Sequence, residues 1–129
     1  MKLATIITVY KRYSYVAQAI KSLLDQTEPP DQVVIVADNP DKIMEIPFVK
    51  ELPNLTLLKA NYPELGRKIA SLIDVLYEDI DVVSLLEDDD MFRANKIERI
   101  KEYFQKKSDI VMIHNHQISV DENGNYISN

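Results

Sequence analysis

Four consecutive carboxylates, Glu87, Asp88, Asp89 and Asp90, directly follow the apolar run VVSLL. In a partly buried crevice, like charges this close repel one another unless a counter-ion is present. A hard divalent cation relieves that repulsion, because Mg²⁺ and Mn²⁺ prefer carboxylate oxygens and bind one or two of them together with substrate phosphates. The run therefore predicts a Mn²⁺ or Mg²⁺ site with these four residues as candidate ligands. The alternative is a solvated acidic loop whose charge favours the N-terminus of the following helix.

Polar residues also follow two other apolar runs. Asp38 ends the segment QVVIVAD and could accept hydrogen bonds from a base or a ribose, although Asp-Asn-Pro also forms an Asx-turn by itself. Tyr10 ends the first run and could stack on a base. The cations Lys11 and Arg12 behind it could face phosphates, with a solvated loop as the alternative.

Two further pairs of residues are candidate ligand-binding groups. Arg67 and Lys68 follow Gly66 at the start of a predicted helix. Cations are unfavourable for the helix dipole at that end, which indicates a use as anion ligands. His114 and His116 share one face of a predicted strand, but no third ligand lies at a zinc spacing, so we expect structural histidines there.

The elements that must position these residues alternate along the chain. Apolar runs predict strands at 3–9, 32–37, 55–59, 82–86 and 110–114. Helical spacing predicts helices at 14–26 (with Ser14 as N-cap), 65–78 and 95–107, a short helix or irregular stretch at 48–52, and a hairpin at 117–127. This order predicts an α/β fold of three αβα layers around an open, mostly parallel, Rossmann-like sheet. Ligands then bind at the carboxyl ends of the strands, where the candidate residues lie.

Composition excludes several classes of protein. The 129 residues predict one domain, 1–129, and the absence of cysteine excludes disulfides, cysteine-zinc sites and thiol nucleophiles. Two glycines cannot supply a glycine-rich phosphate loop, and a net charge of −6 argues against nucleic acid. No run is long enough for a transmembrane segment, and the apolar start is too short for a signal peptide, so we expect a cytoplasmic protein.

Taken together, these segments resemble the N-terminal, nucleotide-sugar-binding half of family 2 glycosyltransferases, which have the GT-A fold. The first segment, ATIITVYKRYSYVAQAIKSLLDQT, is similar to the family's opening strand and helix, with the motif residues Thr8, Tyr10, Ser22, Gln26 and Thr27. The later segments VVIVADNP, LLEDDDMFRANKI and HNHQISVDENGNYI resemble the second-strand signature, the DXD segment and the strand and hairpin after it. The resemblance covers essentially the whole chain in the expected order.

The resemblance implies a truncated GT-A-like fold and a glycosyltransferase whose donor is a metal-bound nucleotide-diphosphate sugar, with a UDP sugar favoured. It implies roles for seven residues: Thr8, Tyr10 and Asp38 at the base, Arg67 or Lys68 near the base or phosphates, Asp88 at the ribose, and Asp89 on Mn²⁺ or Mg²⁺. The cation would neutralise the departing nucleoside diphosphate.

Departures from the family pattern leave alternatives open. Glu87 stands where the first Asp of DXD is expected, so the acidic motif has two registers, and Lys11 replaces an Asn often found after the tyrosine. The chain ends where the family's acceptor half would begin, so no catalytic base is assigned; Asp121 and Glu122 are poor candidates. A homodimer or a partner chain could complete the acceptor site. The alternative function is a nucleotide or nucleotide-sugar binding module without transferase activity. A phospho-receiver domain is set aside, because it needs acids after the first strand.

Overall fold

The computed structural model describes residues 1–127, in which we find four strands, four α-helices and two 3₁₀ turns. The strands are β1 (Leu3–Val9), β2 (Gln32–Ala37), β3 (Leu55–Lys59) and β4 (Val82–Glu87). The helices are α1 (Val16–Leu24), α2 (Pro40–Met44), α3 (Leu65–Ala70) and α4 (Lys96–Lys106), and the 3₁₀ turns cover Val49–Glu51 and Ile73–Val75. No helix within this part of the chain is long and apolar enough to cross a bilayer.

The four strands form one parallel sheet in the order β3-β2-β1-β4. In the central register, Ile6 of β1 lies between Val34 of β2 and Leu85 of β4. Every residue of β2 is buried, and β1 is buried at all but one position, because both faces of these strands are covered. That double burial is the reason their sequences are continuous apolar runs. The predicted α/β class with a parallel sheet is confirmed.

Helices cover the sheet on both faces. On one face, Ile20 and Leu23 of α1 pack with Ile7, Ile35 and α2, and Ile97 of α4 packs against Leu3 and Val82. On the other face, Leu72 packs against Ile6 and Val34. The sheet therefore forms the middle layer of three. One face of β4 lacks such a cover among the described residues: Val83 and Leu85 on that face are exposed, whereas Val82, Ser84 and Leu86 on the other face are buried.

Two helices are shorter than their sequence patterns predict. The predicted helix 14–26 begins at Val16, and Ser14 does not cap it; Tyr15 is the N-cap residue and makes no side-chain hydrogen bond there. The predicted helix 65–78 ends at Ala70, where the backbone changes to i→i−3 hydrogen bonds: the Leu72 amide donates to the Ile69 carbonyl (3.0 Å), and a 3₁₀ turn follows at Ile73–Val75. Conversely, α2 begins at Pro40, where the sequence predicts only a turn.

The predicted fifth strand at 110–114 is wrong. These residues form no strand, and Val111 and Met112 are 94% and 79% exposed. An apolar run becomes a strand only where its backbone pairs with a neighbouring strand, and within residues 1–127 this run pairs with none: β3 and β4 are the outer strands of the sheet. The predicted hairpin is reduced to one antiparallel bridge, Val120 to Tyr126, although its turn forms as expected.

Candidate functional site

The acidic run forms a tight turn at the end of β4. The Asp90 amide donates to the Glu87 carbonyl (3.2 Å) across the turn. Carboxylate oxygens of Glu87, Asp89 and Asp90 consequently lie within 4.8 Å of one another, and all three side chains are exposed. This set of hard oxygen donors fits Mg²⁺ or Mn²⁺. Three of the four predicted ligands therefore converge, whereas Asp88 is buried and lies apart from that group.

Residues in and just after α1 hold the segment that follows the acidic turn. Gln26, 8% exposed, donates to the carbonyls of Ser22 (2.9 Å) and Arg93 (2.7 Å) and accepts from the Ile97 amide (3.0 Å). The Ser22 hydroxyl accepts from the Phe92 amide (3.1 Å), and the Thr27 amide donates to the Ala94 carbonyl. The Ser, Gln and Thr of the sequence motif thus fix the backbone that leaves the acidic turn.

Arg12 pairs with the acidic turn from the β1–α1 loop. Its guanidinium lies 2.9 Å from Asp88 and 3.5 Å from Asp89. Burial raises the pKa of the Asp88 carboxyl, and the neighbouring Arg12 charge offsets only part of that rise. Partial burial and the negative charge of Asp89 also raise the pKa of Asp90. The sequence predicts only that Arg12 lies near phosphates. Its ion pair with Asp88, 76 positions away, leaves no local pattern in the sequence.

Two adjoining cavities open at this edge of the sheet. The loop cavity, of about 220 Å³, is lined by residues 11–15 with Asp88 and Asp89. The strand-end cavity, of about 240 Å³, is lined by Thr8, Tyr10, Arg12, Pro63, Leu65, Lys68, Glu87 and Asp88. Of the predicted site residues, Thr8, Tyr10, Lys68 and the acids from Glu87 to Asp89 therefore line a cavity. Pro63 and Leu65 were missed, because neither side chain carries chemistry that a sequence pattern could flag.

The structure distinguishes the two cations of α3. Lys68 is only 5% exposed and lines the strand-end cavity, with its ammonium 5.3 Å from the Tyr10 ring centre. Within residues 1–127 this ammonium makes no hydrogen bond or ion pair. Arg67 lies outside both cavities and stacks on the Tyr62 ring at 3.8 Å. Of the two cations that the sequence could not separate, Lys68 is the one that faces the crevice.

Asp38 lies at the end of β2 but lines neither cavity. One of its oxygens, Oδ1, accepts hydrogen bonds from the Lys11 amide (2.9 Å) and the Tyr13 hydroxyl (2.8 Å). Burial by itself would raise the pKa of the Asp38 carboxyl, but these two donors outweigh it, so the pKa is lowered. The same residue therefore braces the β1–α1 loop, a role closer to the structural alternative. Tyr13 was missed as its partner, since nothing in the spacing joins positions 13 and 38.

Lys11 adopts a backbone conformation that explains the asparagine expected at its position. Its φ angle is 58°, in the left-handed region that asparagine tolerates better than lysine. The strain turns the chain at the end of β1, so that Tyr10 enters the strand-end cavity while Arg12 borders both cavities.

The remaining candidates lie away from the crevice or are already engaged. His114 and His116 are exposed and form no metal-binding group with other described residues. Asp121 accepts backbone hydrogen bonds from Asn123 and Asn125 (2.9 Å each) within the hairpin turn. The Glu122 carbonyl accepts a hydrogen bond from Gln18 on α1 (2.8 Å). No catalytic base emerges from these contacts in the described part of the chain.

Comparison with known sequences gives a consistent family. The family model described as Glycosyl transferase family 2 matches residues 4–128. An uncharacterised glycosyltransferase of Nostoc sp. is 31% identical over 95% of this chain, which covers 38% of that relative. An uncharacterised glycosyltransferase of Rickettsia bellii is 27% identical over 98% of this chain, which covers 18% of that relative. The chain thus spans well under half the length of either relative.

Solved structures support the fold. A crystal structure of S. aureus TarS superposes on 82% of this chain with a TM-score of 0.70 and 18% identity, and 20% of the TarS chain is covered. A crystal structure of TarS residues 1–349 in complex with UDP-GlcNAc gives a TM-score of 0.69 at 18% identity, with 82% of this chain and 32% of that chain covered. TarS is a structural neighbour with the same arrangement of strands and helices.

Proposed function

The chain belongs to glycosyl transferase family 2, and from that premise we propose that residues 1–129 form one nucleotide-sugar-binding unit of a glycosyltransferase. The donor would be a nucleotide-diphosphate sugar, and we favour a UDP sugar. Its diphosphate would be held through Mn²⁺ or Mg²⁺. The solved complex of TarS with UDP-GlcNAc supports the choice of UDP as the first ligand to test.

One observation carries this proposal: Lys68, whose ammonium has no hydrogen bond or ion pair in residues 1–127, lines the same cavity as Glu87 of the acidic turn. Although the Lys68 side chain is only 5% exposed, its nitrogen still reaches the cavity, where an anion would complete it. The converging acids have Arg12 as their one paired cation in the described residues, so they still repel one another. A diphosphate bound with a divalent cation satisfies both groups together, which neither an anion alone nor a metal alone does.

The residues at the strand-end cavity suggest which part of the ligand each would contact. Tyr10 and Thr8 would contact the base, and Lys68 would donate to a phosphate oxygen. Asp88 would accept hydrogen bonds from the ribose hydroxyls. Asp38 lies outside both cavities; the contact with the base edge that the family resemblance implies would use Oδ2, because Oδ1 already accepts two hydrogen bonds.

The acidic turn would hold the metal through Asp89, with Glu87 and Asp90 beside it. A bound Mn²⁺ or Mg²⁺ supplies positive charge against the nucleoside diphosphate as it leaves the sugar. Lys68 adds a fixed charge on the same leaving group. Gln26 keeps the turn in place, so these groups need little rearrangement when charge develops.

The first experiment is a calorimetric titration of UDP, and then GDP, in the presence and absence of Mn²⁺. We expect saturable UDP binding that depends on Mn²⁺. In Asp89→Ala that metal-dependent binding should be lost, while the free energy of unfolding changes by less than about 1 kcal/mol, because an exposed carboxylate leaves a repulsive cluster. Asp25→Ala is the matched control: it removes an exposed carboxylate from the far end of α1 and should not alter binding.

Wild-type UDP affinity in Asp89→Ala at saturating Mn²⁺ would refute the metal assignment. Absence of UDP and GDP binding to the wild-type chain under every condition would refute the nucleotide-sugar proposal itself. Transfer chemistry needs a separate readout, namely Mn²⁺-dependent release of UDP from a labelled UDP sugar.

A binding module without transferase activity is the second candidate, and the state of Asp121 favours it. That carboxylate is engaged in the hairpin turn, so it is not positioned to deprotonate an acceptor hydroxyl. Saturable UDP-sugar binding without UDP release would support this candidate. Under the transferase proposal, a second copy, a partner chain or further polypeptide would supply the acceptor side. The cytoplasmic location stays a prediction.

A further inference from the structure

The ion pair between Arg12 and Asp88 separates the two cavities. These two residues are the ones that line both the loop cavity and the strand-end cavity. The Asp88 carboxylate is buried, whereas the Arg12 side chain is 68% exposed. We call this ion pair the wall between the cavities. Its carboxylate, Asp88, is held in place by the fold, whereas Arg12 is a long side chain that is mostly exposed to solvent.

Neither cavity alone has the volume of a typical small-molecule site. Their volumes are about 220 and 240 Å³, whereas such pockets usually enclose roughly 300–1,000 Å³. If the Arg12 side chain moves away from Asp88, the two spaces join and reach that range. A ligand as large as a nucleotide sugar would therefore span both spaces and meet this wall.

The charges around Arg12 determine which ligands can open the wall. Arg12 is the one cation paired with the acidic turn among the described residues, at 2.9 Å from Asp88 and 3.5 Å from Asp89. A divalent cation on Asp89 repels a guanidinium at that distance. A diphosphate attracts the same guanidinium, since arginine pairs with phosphate through two parallel hydrogen bonds.

We infer that Arg12 is a movable counter-ion of the acidic turn, which releases Asp88 and Asp89 when the metal binds and then pairs with the diphosphate. This inference rests on the function proposed above and adds a residue that couples its two ligands. Release of Asp88 frees a buried carboxylate for the ribose hydroxyls. Arg12 thereby opposes binding of the metal alone and favours binding of the metal together with the nucleotide.

The test measures the two ligands separately. Binding of Mn²⁺ alone is followed by the electron paramagnetic resonance signal of the free ion, and UDP binding by calorimetry at saturating Mn²⁺. In Arg12→Ala, Mn²⁺ alone should bind about fivefold more tightly, the factor for one unit-charge contact near 4 Å in a water-like medium. UDP should bind roughly tenfold more weakly, because a charge-assisted hydrogen bond is lost. Arg12→Lys retains the charge and should keep the Mn²⁺ affinity close to that of the wild type.

Arg99→Ala is the matched control, since it removes an exposed guanidinium of α4 that pairs with Glu102 instead. It should change neither affinity. In Arg12→Ala, by contrast, the Mn²⁺ affinity should rise and the UDP affinity should fall. These opposite changes distinguish the proposed role from simple misfolding, which weakens binding of both ligands. Shifts of the same sign, or no shift in Mn²⁺ affinity, would overturn the inference. Wild-type protein that binds Mn²⁺ but not UDP refutes the proposed function, and the Mn²⁺ measurement still decides whether Arg12 competes for the acids.

Discussion

Substitution of Lys68 by methionine tests which cation of α3 serves the ligand. The Lys68 side chain is 5% exposed, and its ammonium makes no hydrogen bond or ion pair within residues 1–127. Methionine preserves most of the packed stem and removes the charge. We therefore expect the free energy of unfolding to change by less than about 1 kcal/mol, since no native hydrogen bond is broken.

The effect on binding should be large by comparison. A hydrogen bond to a charged group contributes about 1.5–3 kcal/mol, which corresponds to roughly 10- to 150-fold in UDP affinity. The assay is calorimetric titration of UDP at saturating Mn²⁺, with urea unfolding of the same samples to measure stability.

Arg67→Met is the matched control, as it removes the neighbouring charge that stacks on Tyr62 outside both cavities. Its UDP affinity should stay within about twofold of the wild type, a difference of under ~0.5 kcal/mol. The reasoning is refuted if Lys68→Met binds UDP normally, or if Arg67→Met loses the greater affinity. Either result would mean that burial and cavity position do not identify the phosphate ligand.

Three further predictions concern the frame of the site. Lys11→Asn should raise the free energy of unfolding by about 1 kcal/mol, because residue 11 has a φ of 58°; urea unfolding checks this, and an unchanged midpoint would show that the strain is negligible. Burial and the hydrogen bond to Asp38 raise the pKa of Tyr13 to about 12 from 10.0, so its contribution to stability is complete below pH 10 and is lost as the pH rises towards 12. Tyr13→Phe should remove that part of the pH dependence in unfolding titrations, and an identical profile would contradict the assignment. Gly124→Ala should destabilise the hairpin turn, since φ is +84° and the new Cβ would lie 3.0 Å from Met91; faster amide hydrogen exchange at 121–125 is the expected result, and unchanged exchange would count against it.

The strands of the sheet could be predicted because their signal is local. Four of the predicted strands form, and each begins at the first residue of its apolar run. Strands β1 to β3 also end at the last residue of their runs. A run buried on both faces must be apolar at every position, so its sequence identifies it. The carboxyl-edge rule then placed Tyr10 and the acidic turn at one edge, where the two cavities lie.

The failed predictions concern backbone partners. The run at 110–114 is as apolar as a strand, yet in the described chain it pairs with neither open edge of the sheet. The pattern of the helix at 65–78 continues past Ala70, but there the backbone changes to i→i−3 hydrogen bonds, such as that from the Leu72 amide to the Ile69 carbonyl. Periodicity reports which face of an element is apolar and says nothing about these partners.

By itself, the sequence determined the parallel α/β class, the family and the chemical types at the strand ends: carboxylates after β4, an aromatic and cations after β1. The tertiary structure alone decided which of those groups meet. It selected Lys68 over Arg67, separated Asp88 from the other three acids, and paired Arg12 with a carboxylate 76 residues away. The physical reason is that residue type and local spacing fix hydrophobic burial and charge, whereas the partner of a charged side chain depends on how distant segments are packed together.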